Sequence, residues 1–224
     1  MTGVQTCALP IYDMPGMDND VLRRGKPTVH VAYGEAMAML VGDALQALAF
    51  ESLAEAAAHG AAPTAVVAML AELGRGAGSL GMAGGQAIDL ESVGKGLTVP
   101  QLEVMHIHKT GAIIRAATLM GLLCGGAVSR ADQERVDGFA RVMGLAFQVI
   151  DDVLDVEASS AELGKTAGKD AEHGKPTYVS AMGLDKAKAY AEQLRVEAMA
   201  LLEPFGTRAL RLRQLADFIV LRKS

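Results

Sequence analysis

Three aspartates, Asp151, Asp152 and Asp155, are grouped in the stretch "FQVIDDVLDVE". Asp151 and Asp155 are four residues apart in a strongly periodic segment, so a helix places them on one face, about 6 Å apart along its axis. Like charges at that spacing destabilise a helix unless something positive binds between them. Apolar Val149, Ile150, Val153 and Leu154 should turn toward a core and leave the acids at its rim. Carboxylate oxygens suit hard Mg²⁺, which keeps several waters and readily shares its shell with phosphate oxygens. A solvated acidic face is the alternative for this motif taken alone.

A second acidic patch, Asp13, Asp18 and Asp20, lies in "IYDMPGMDNDVLRRGKPTVH". Pro15-Gly16 should end or loosen a helix there and let acids five or six residues apart converge. Arg23 and Arg24 come at once after it, and their planar guanidinium forks match phosphate oxygens. The other acidic motif is likewise succeeded by Lys165, Lys169 and Lys175. Metal ions holding a diphosphate explain this repeated pairing of acids with bases better than solvated faces or mutual salt bridges. Glu103-Val104-Met105-His106 is an ExxH and raises a di-iron carboxylate bundle as a rival, but that fold wants two such motifs and only one is present.

The elements that must position these groups read as helices. Half of the 224 residues are apolar, aromatics make up 4% and Trp is absent, a composition that favours packed helices over strands. One helix is expected from Val29 to His59, bent at Gly42 and carrying Ala32, Ala36, Met39, Leu40, Leu45, Leu48 and Leu53 at helical spacing. Others are expected from Pro63 to about Leu73, Pro100 to about Leu123, Ser129 (as cap) to about Val156, Tyr178 to Leu202 and Thr207 to Leu221. The Gly-rich "GRGAGSLGMAGGQAIDLES" lacks GxxxxGK[ST], so close helix packing or a kink is its expected use. No strand and no repeat stand out, and the fold class is all-α, a helical bundle.

A net charge of −5 leaves no basic footprint for nucleic acid. Cys7 and Cys124 form neither a disulfide framework nor a zinc motif, which suits a reducing cytoplasm. No uninterrupted apolar run reaches membrane-spanning length, so membrane insertion is not expected.

Residues 1–11, "MTGVQTCALPI", have no helical period and no continuity with the periodic chain after them. They look like the translation of a short-read sequencing adapter, read on its reverse strand from a GTG start, and are expected to be non-native. Such a junction would force a T at the first base of codon 12 and turn an Asp codon into that of Tyr12. Position 12 is therefore expected to have been Asp, completing DDxxxxD, with residues 12–224 forming one truncated domain.

Taken together, position 12 through His30 resembles the first Asp-rich motif of the trans-isoprenyl diphosphate synthases, the polyprenyl synthetase family, in their bacterial farnesyl diphosphate synthase type. Tyr12 is the one departure. Phe147 to Asp155 resembles the second motif, and between the two "GEAMAMLVGDALQALAFE", "GGQAIDL" and "HKTGAIIRAAT" resemble family segments in the right order. "LGKTAGKDAEHGKPTY" resembles the loop after the second motif. The resemblance implies an isoprenoid synthase-type bundle around a central active-site cavity, with its first helices missing here. It implies that Asp13, Asp18, Asp151, Asp152 and Asp155 hold Mg²⁺, three ions per site with Mn²⁺ able to substitute, on the allylic diphosphate. It further implies that Arg23, Lys109, Thr110, Gln148, Lys165 and Lys175 contact that diphosphate and that Arg24 contacts isopentenyl diphosphate. Lys109, Thr110, Gln148 and Lys165 would take the catalytic roles, while Thr110 and Gln148 could instead be packing groups.

The implied activity is ionisation of dimethylallyl or geranyl diphosphate, condensation with isopentenyl diphosphate and proton loss, giving farnesyl diphosphate. Geranyl or geranylgeranyl synthases are the alternatives, as is a non-catalytic subunit of a heteromeric synthase. The same likeness implies a homodimer. Chain-length determinants and most isopentenyl diphosphate contacts would lie upstream of residue 12, so this polypeptide is expected to be inactive or severely impaired.

Overall fold

The computed structural model describes residues 9–126, 128–157 and 175–222. They fall into two compact units, residues 9–71 in the first and the remaining described residues in the second.

In the first unit, residues 9–12 are helical although too few to register a period in the sequence, and a chain of turns continues through residue 18. Strands β1 (Leu22–Arg23) and β2 (Lys26–Pro27) form a two-residue antiparallel hairpin, Leu22 opposite Pro27, which the sequence did not suggest. Its turn places Arg24 at φ 54° and Gly25 at φ 74°, the paired positive φ of a type I′ turn. Arginine is an unusual occupant of that position, so the usual sequence sign is missing.

The helix expected over Val29–His59 is instead α1 (Val29–Tyr33) and α2 (Glu35–Glu55), followed by a 3₁₀ turn to His59. The break falls at Gly34, φ 87°, and Gly42 stays inside α2. Gly60 closes the 3₁₀ turn in the left-handed conformation, where the expected His59-Gly60 stop lies. The apolar positions of α2 do not form a buried stripe: Met39, Leu40 and Leu48 are exposed, and only Ala38 and Gly42 are buried. By length and composition alone Glu35–His59 could cross a membrane, its 18-residue window having a mean hydropathy of 1.3 with 11% buried. Counting uninterrupted runs missed this, because Asp43 and Glu51 divide the segment.

Helix α3 (Pro63–Ala77) begins in the first unit and ends in the second. The second unit continues with α4 (Met82–Ser92), α5 (Val99–His106), a π-turn (Ile107–Gly111) and α6 (Ala112–Cys124). Then come α7 (Arg130–Glu157), α8 (Tyr178–Met182), α9 (Leu184–Leu202), a 3₁₀ segment (Glu203–Ala209) and α10 (Leu210–Leu221). Ser129 caps α7 as expected, its Oγ accepting from the Asp132 N–H at 3.1 Å. The helix anticipated from Tyr178 is broken at Gly183, φ 86°.

Helix α7 is the central strut, packed along α6 and α9. Ala140, Ala146 and Val149 of α7 and Ala187, Ala191 and Ala198 of α9 are at most 1% exposed, so small side chains let the two helices approach closely. Leu102, Met105, Met143 and Leu202 fill the surrounding core, each worth about 1.5–3 kcal/mol of hydrophobic burial. Val149, Ile150, Val153 and Leu154 are buried, as the periodicity of the acidic stretch requires.

Candidate active site

In the first unit, the turns after residue 12 bend the acidic patch back on itself. The Asp18 N–H donates to the Tyr12 carbonyl at 2.9 Å and the Asp20 N–H to the Asp13 carbonyl at 3.1 Å. Arg23 then donates from one nitrogen, Nη2, to Asp13 Oδ1 at 2.5 Å and to Asp20 Oδ2 at 2.7 Å. Burial pushes the Asp13 carboxyl above its ordinary range, and Arg23 opposes that. The ionised form is therefore less favoured than in water, a cost that a cation would lower. Tyr12 is also pushed up, first by burial and then by Asp18, so it keeps its proton at neutral pH and offers a hydroxyl rather than a carboxylate. Arg24 is exposed on the hairpin turn.

In the second unit, Asp151 and Asp155 lie one helical pitch apart on α7. Asp152 is buried and accepts the Tyr178 backbone N–H at 2.7 Å, tying the end of the acidic helix to the start of α8. Gln148 donates from Nε2 to Asp151 Oδ2 at 3.3 Å. Lys109, in the π-turn, bonds Asp89 at 2.6 Å, and Lys175 lies 3.8 Å from the same carboxylate oxygen. Two lysines expected to meet a diphosphate are thus brought together by an acid on α4. Thr110 sits half-buried beside Lys109. Lys165 and Lys169 lie outside the described residues.

The polyprenyl synthetase family model matches residues 2–202. The chain belongs to that family. A probable farnesyl diphosphate synthase of Bradyrhizobium diazoefficiens is 49% identical over 215 residues, covering 95% of this chain and 64% of the relative. A chloroplastic geranylgeranyl pyrophosphate synthase of Capsicum annuum is 45% identical over 221 residues, covering 98% of this chain and 59% of the relative. The chain therefore spans about three fifths of the length of these relatives. Among solved structures, a Helicobacter pylori geranyltransferase complexed with magnesium and isoprenyl diphosphate superposes with a TM-score of 0.85. That pair shares 35% identity over 97% of this chain and 70% of the other.

Within this polyprenyl synthetase chain, no group of three or more His, Cys, Asp or Glu among the described residues stands ready to hold a metal. The donor set nonetheless fits Mg²⁺, which is commonly bound by one or two carboxylates with phosphate oxygens and water filling the rest of its octahedron. The ExxH pair is otherwise engaged: Glu103 accepts the Tyr190 hydroxyl at 2.6 Å, and His106 is stacked on Tyr178.

Three residues at the site were not singled out by the sequence. Asp89 lies in "GGQAIDL", a segment whose likeness to the family is visible but whose acid stands outside both Asp-rich motifs. Tyr178 supplies a backbone N–H, which no side-chain pattern reveals. Arg222 sits 71 residues from Asp151, yet its Nη2 bonds Asp151 Oδ1 and its guanidinium lies 4.4 Å from the centre of the Phe147 ring.

Arg222 occupies an oxygen that a cation would need. With the pair partly exposed, its strength is about 1 kcal/mol. Arg222→Ala is therefore expected to tighten Mn²⁺ binding up to about fivefold, read by the paramagnetic resonance signal of free Mn²⁺. Weaker binding in a folded variant would contradict this competition.

Proposed function

We propose that the chain carries active-site residues of a farnesyl diphosphate synthase-type trans-prenyltransferase. The observation that carries this is the acidic helix α7: Asp151 and Asp155 share one face, Gln148 braces Asp151, and Lys109 and Lys175 are gathered on Asp89. The 49% identity to a probable farnesyl diphosphate synthase supports the same product.

Asp151, Asp152 and Asp155 are proposed ligands of Mg²⁺, and so are Asp13 and Asp18; three ions are proposed, with Mn²⁺ able to substitute. When bound, Mg²⁺ supplies electrostatic stabilisation of the charge that gathers on a departing diphosphate. Lys109, Lys175 and Lys165 would present ammonium groups to that diphosphate, Arg23 a guanidinium, and Gln148 an amide donor. Asp89 holds the two lysines close together against their mutual repulsion. Preorganised donors of this kind are the main source of barrier lowering when charge separates. The allylic C–O bond breaks and its electrons leave with the diphosphate. The isopentenyl double bond then attacks the cation, and the proton lost from the new chain goes to the diphosphate. No protein nucleophile takes part.

Isopentenyl and allylic diphosphates are the proposed substrates, with Arg24 meeting the former, and a cytoplasmic homodimer is the proposed form. Supplying dimethylallyl and isopentenyl diphosphates in excess Mg²⁺ to the protein extended to the length of its relatives, and measuring the carbon number of the product, tests this. A C15 product is expected. A C20 product would move the assignment to the geranylgeranyl type, which the Capsicum relative favours. No consumption of either substrate by that extended protein would refute it.

A further inference from the structure

Tyr178 is the largest fully buried side chain among the described residues, 0% exposed, and the proposed chemistry makes no use of it. Its ring is stacked on His106, centroids 5.5 Å apart and planes 27° apart, and lies 6.1 Å from the Tyr190 ring at 48°. Tyr190 is itself fixed by its hydroxyl, which donates to Glu103 at 2.6 Å. Helices α5 and α9 thus clamp the Tyr178 ring between them. Its own hydroxyl is buried with no hydrogen-bond partner among the described residues. A buried tyrosine kept for its hydroxyl would pair it, so the ring and the backbone that carries it are what the fold uses.

That backbone has a defined aim. Thr177 caps α8 through reciprocal bonds: the Ser180 N–H donates to Thr177 Oγ1 and the Thr177 N–H to Ser180 Oγ, both at 3.0 Å. The first N–H groups of a helix have no partner inside it, and this cap leaves the Tyr178 N–H over. It donates to Asp152 Oδ2 at 2.7 Å. With the ring clamped, the donor cannot follow the carboxylate, so it is the carboxylate that is oriented. Three residues earlier, Lys175 lies 3.8 Å from Asp89 Oδ2, the oxygen that Lys109 also bonds. Three residues of extended chain reach no more than about 11 Å, so Lys175 hangs on a short tether pinned at Tyr178.

We propose that Tyr178 is a positioning residue: its clamped backbone N–H orients the Asp152 carboxylate, and the segment it pins carries Lys175 to Asp89. This rests on the metal-binding role proposed for Asp152 and the diphosphate role proposed for Lys175. Partners of this kind, one step removed from the metal, typically change metal affinity about 10- to 100-fold when lost.

The test uses the 224-residue chain with two changes at this position. Incorporating the α-hydroxy acid counterpart of tyrosine at position 178 replaces one peptide link by an ester, which removes the N–H and keeps the ring. Tyr178→Phe keeps both and removes only the hydroxyl. Two readouts are compared: Mn²⁺ affinity, and the Lys175 side-chain ammonium signal in ¹⁵N NMR of the metal-free protein. The ester chain is expected to bind Mn²⁺ about tenfold more weakly and to show a shifted Lys175 signal, with its helical circular dichroism unchanged. Tyr178→Phe should stay within about threefold of the parent with a parent-like signal. A tyrosine that only filled the core would lower the denaturation midpoint of the ester chain and leave both readouts in place. Either readout parent-like in the folded ester chain would overturn the proposal, and so would a folded Tyr178→Phe as weak as the ester chain. If the ester chain does not fold, metal-free Asp152→Asn decides: shifts of the Tyr178 amide proton and the Lys175 signal support the role, and an unchanged signal for either overturns it. If the parent itself binds no Mn²⁺, the metal-binding reading fails, while the Lys175 signal in the ester chain still decides the positioning role.

Discussion

Gly85→Ala is expected to be among the most damaging single methyl additions at the described glycines. A Cβ at position 85 would lie 2.0 Å from the Lys109 amide nitrogen, 2.4 Å from its Cα and 2.6 Å from the His108 carbonyl carbon. All three are backbone atoms, so no side chain can swing aside. Either α4 or the π-turn must move by more than an ångström. Replacing an unencumbered helical glycine by alanine stabilises by about 1 kcal/mol, so the sign of the effect distinguishes the two cases. Overpacking of a rigid core costs about 1–3 kcal/mol and occasionally more, and here about 3 kcal/mol is expected. The displaced element carries Lys109, and a misplacement of about 1 Å can cost 10²-fold in rate. Urea unfolding of the chain, and geranyl diphosphate turnover by the protein extended to the length of its relatives, check the two effects. A midpoint equal to or above that of the parent would show that α4 and the π-turn are not in contact.

Acid should also destabilise the fold through His106. Burial, then the nearby Lys109, lowers its pKa from 6.5 to about 4, while Asp89 and Gln148 pull the other way. The folded pKa lies below the unfolded one, so between pH 6.5 and 4 the unfolded chain binds more protons. The stability contributed by the neutral ring is fully present above pH 6.5 and is lost as pH falls toward 4. At 1.36 kcal/mol per pKa unit the loss approaches about 3 kcal/mol. His106→Phe removes the titrating group, so the difference between parent and variant isolates the effect from the carboxylates that titrate in the same range. The parent should lose stability relative to His106→Phe as pH drops across this window, measured by denaturant unfolding at each pH. Parallel curves would mean that the ring is hydrated or paired in the folded chain.

Much of the site was legible because its chemistry is local. Asp151 and Asp155 read as one face because a four-residue spacing has a single meaning in a helix, and Ser129 and Gly60 announce helix ends by the backbone geometry they favour. The contacts that complete the site were not legible. Asp89 and Lys109 are 20 residues apart on separate elements, and Arg222 and Asp151 are 71 apart. No local period encodes such pairs. The π-turn differs from the flanking α-helix by one residue of hydrogen-bond register, and its "IHKTG" carries no proline or other compositional sign. Helical spacing reveals α2 but not its burial, because Met39, Leu40 and Leu48 satisfy the periodicity without being covered in the described chain. The family likeness named a set of acids and bases, but Arg23 is found on Asp13 and Asp20, and Lys109 and Lys175 on Asp89.

The most direct measurement is calorimetric titration of geranyl thiodiphosphate, an allylic analogue that resists ionisation, into the chain with Mg²⁺ and again with excess EDTA. Binding should require Mg²⁺ and should weaken about 100-fold or more in the Asp151→Asn, Asp155→Asn double variant. Equal affinity in EDTA, or in a folded double variant, would mean that these carboxylates do not engage an allylic diphosphate through a metal.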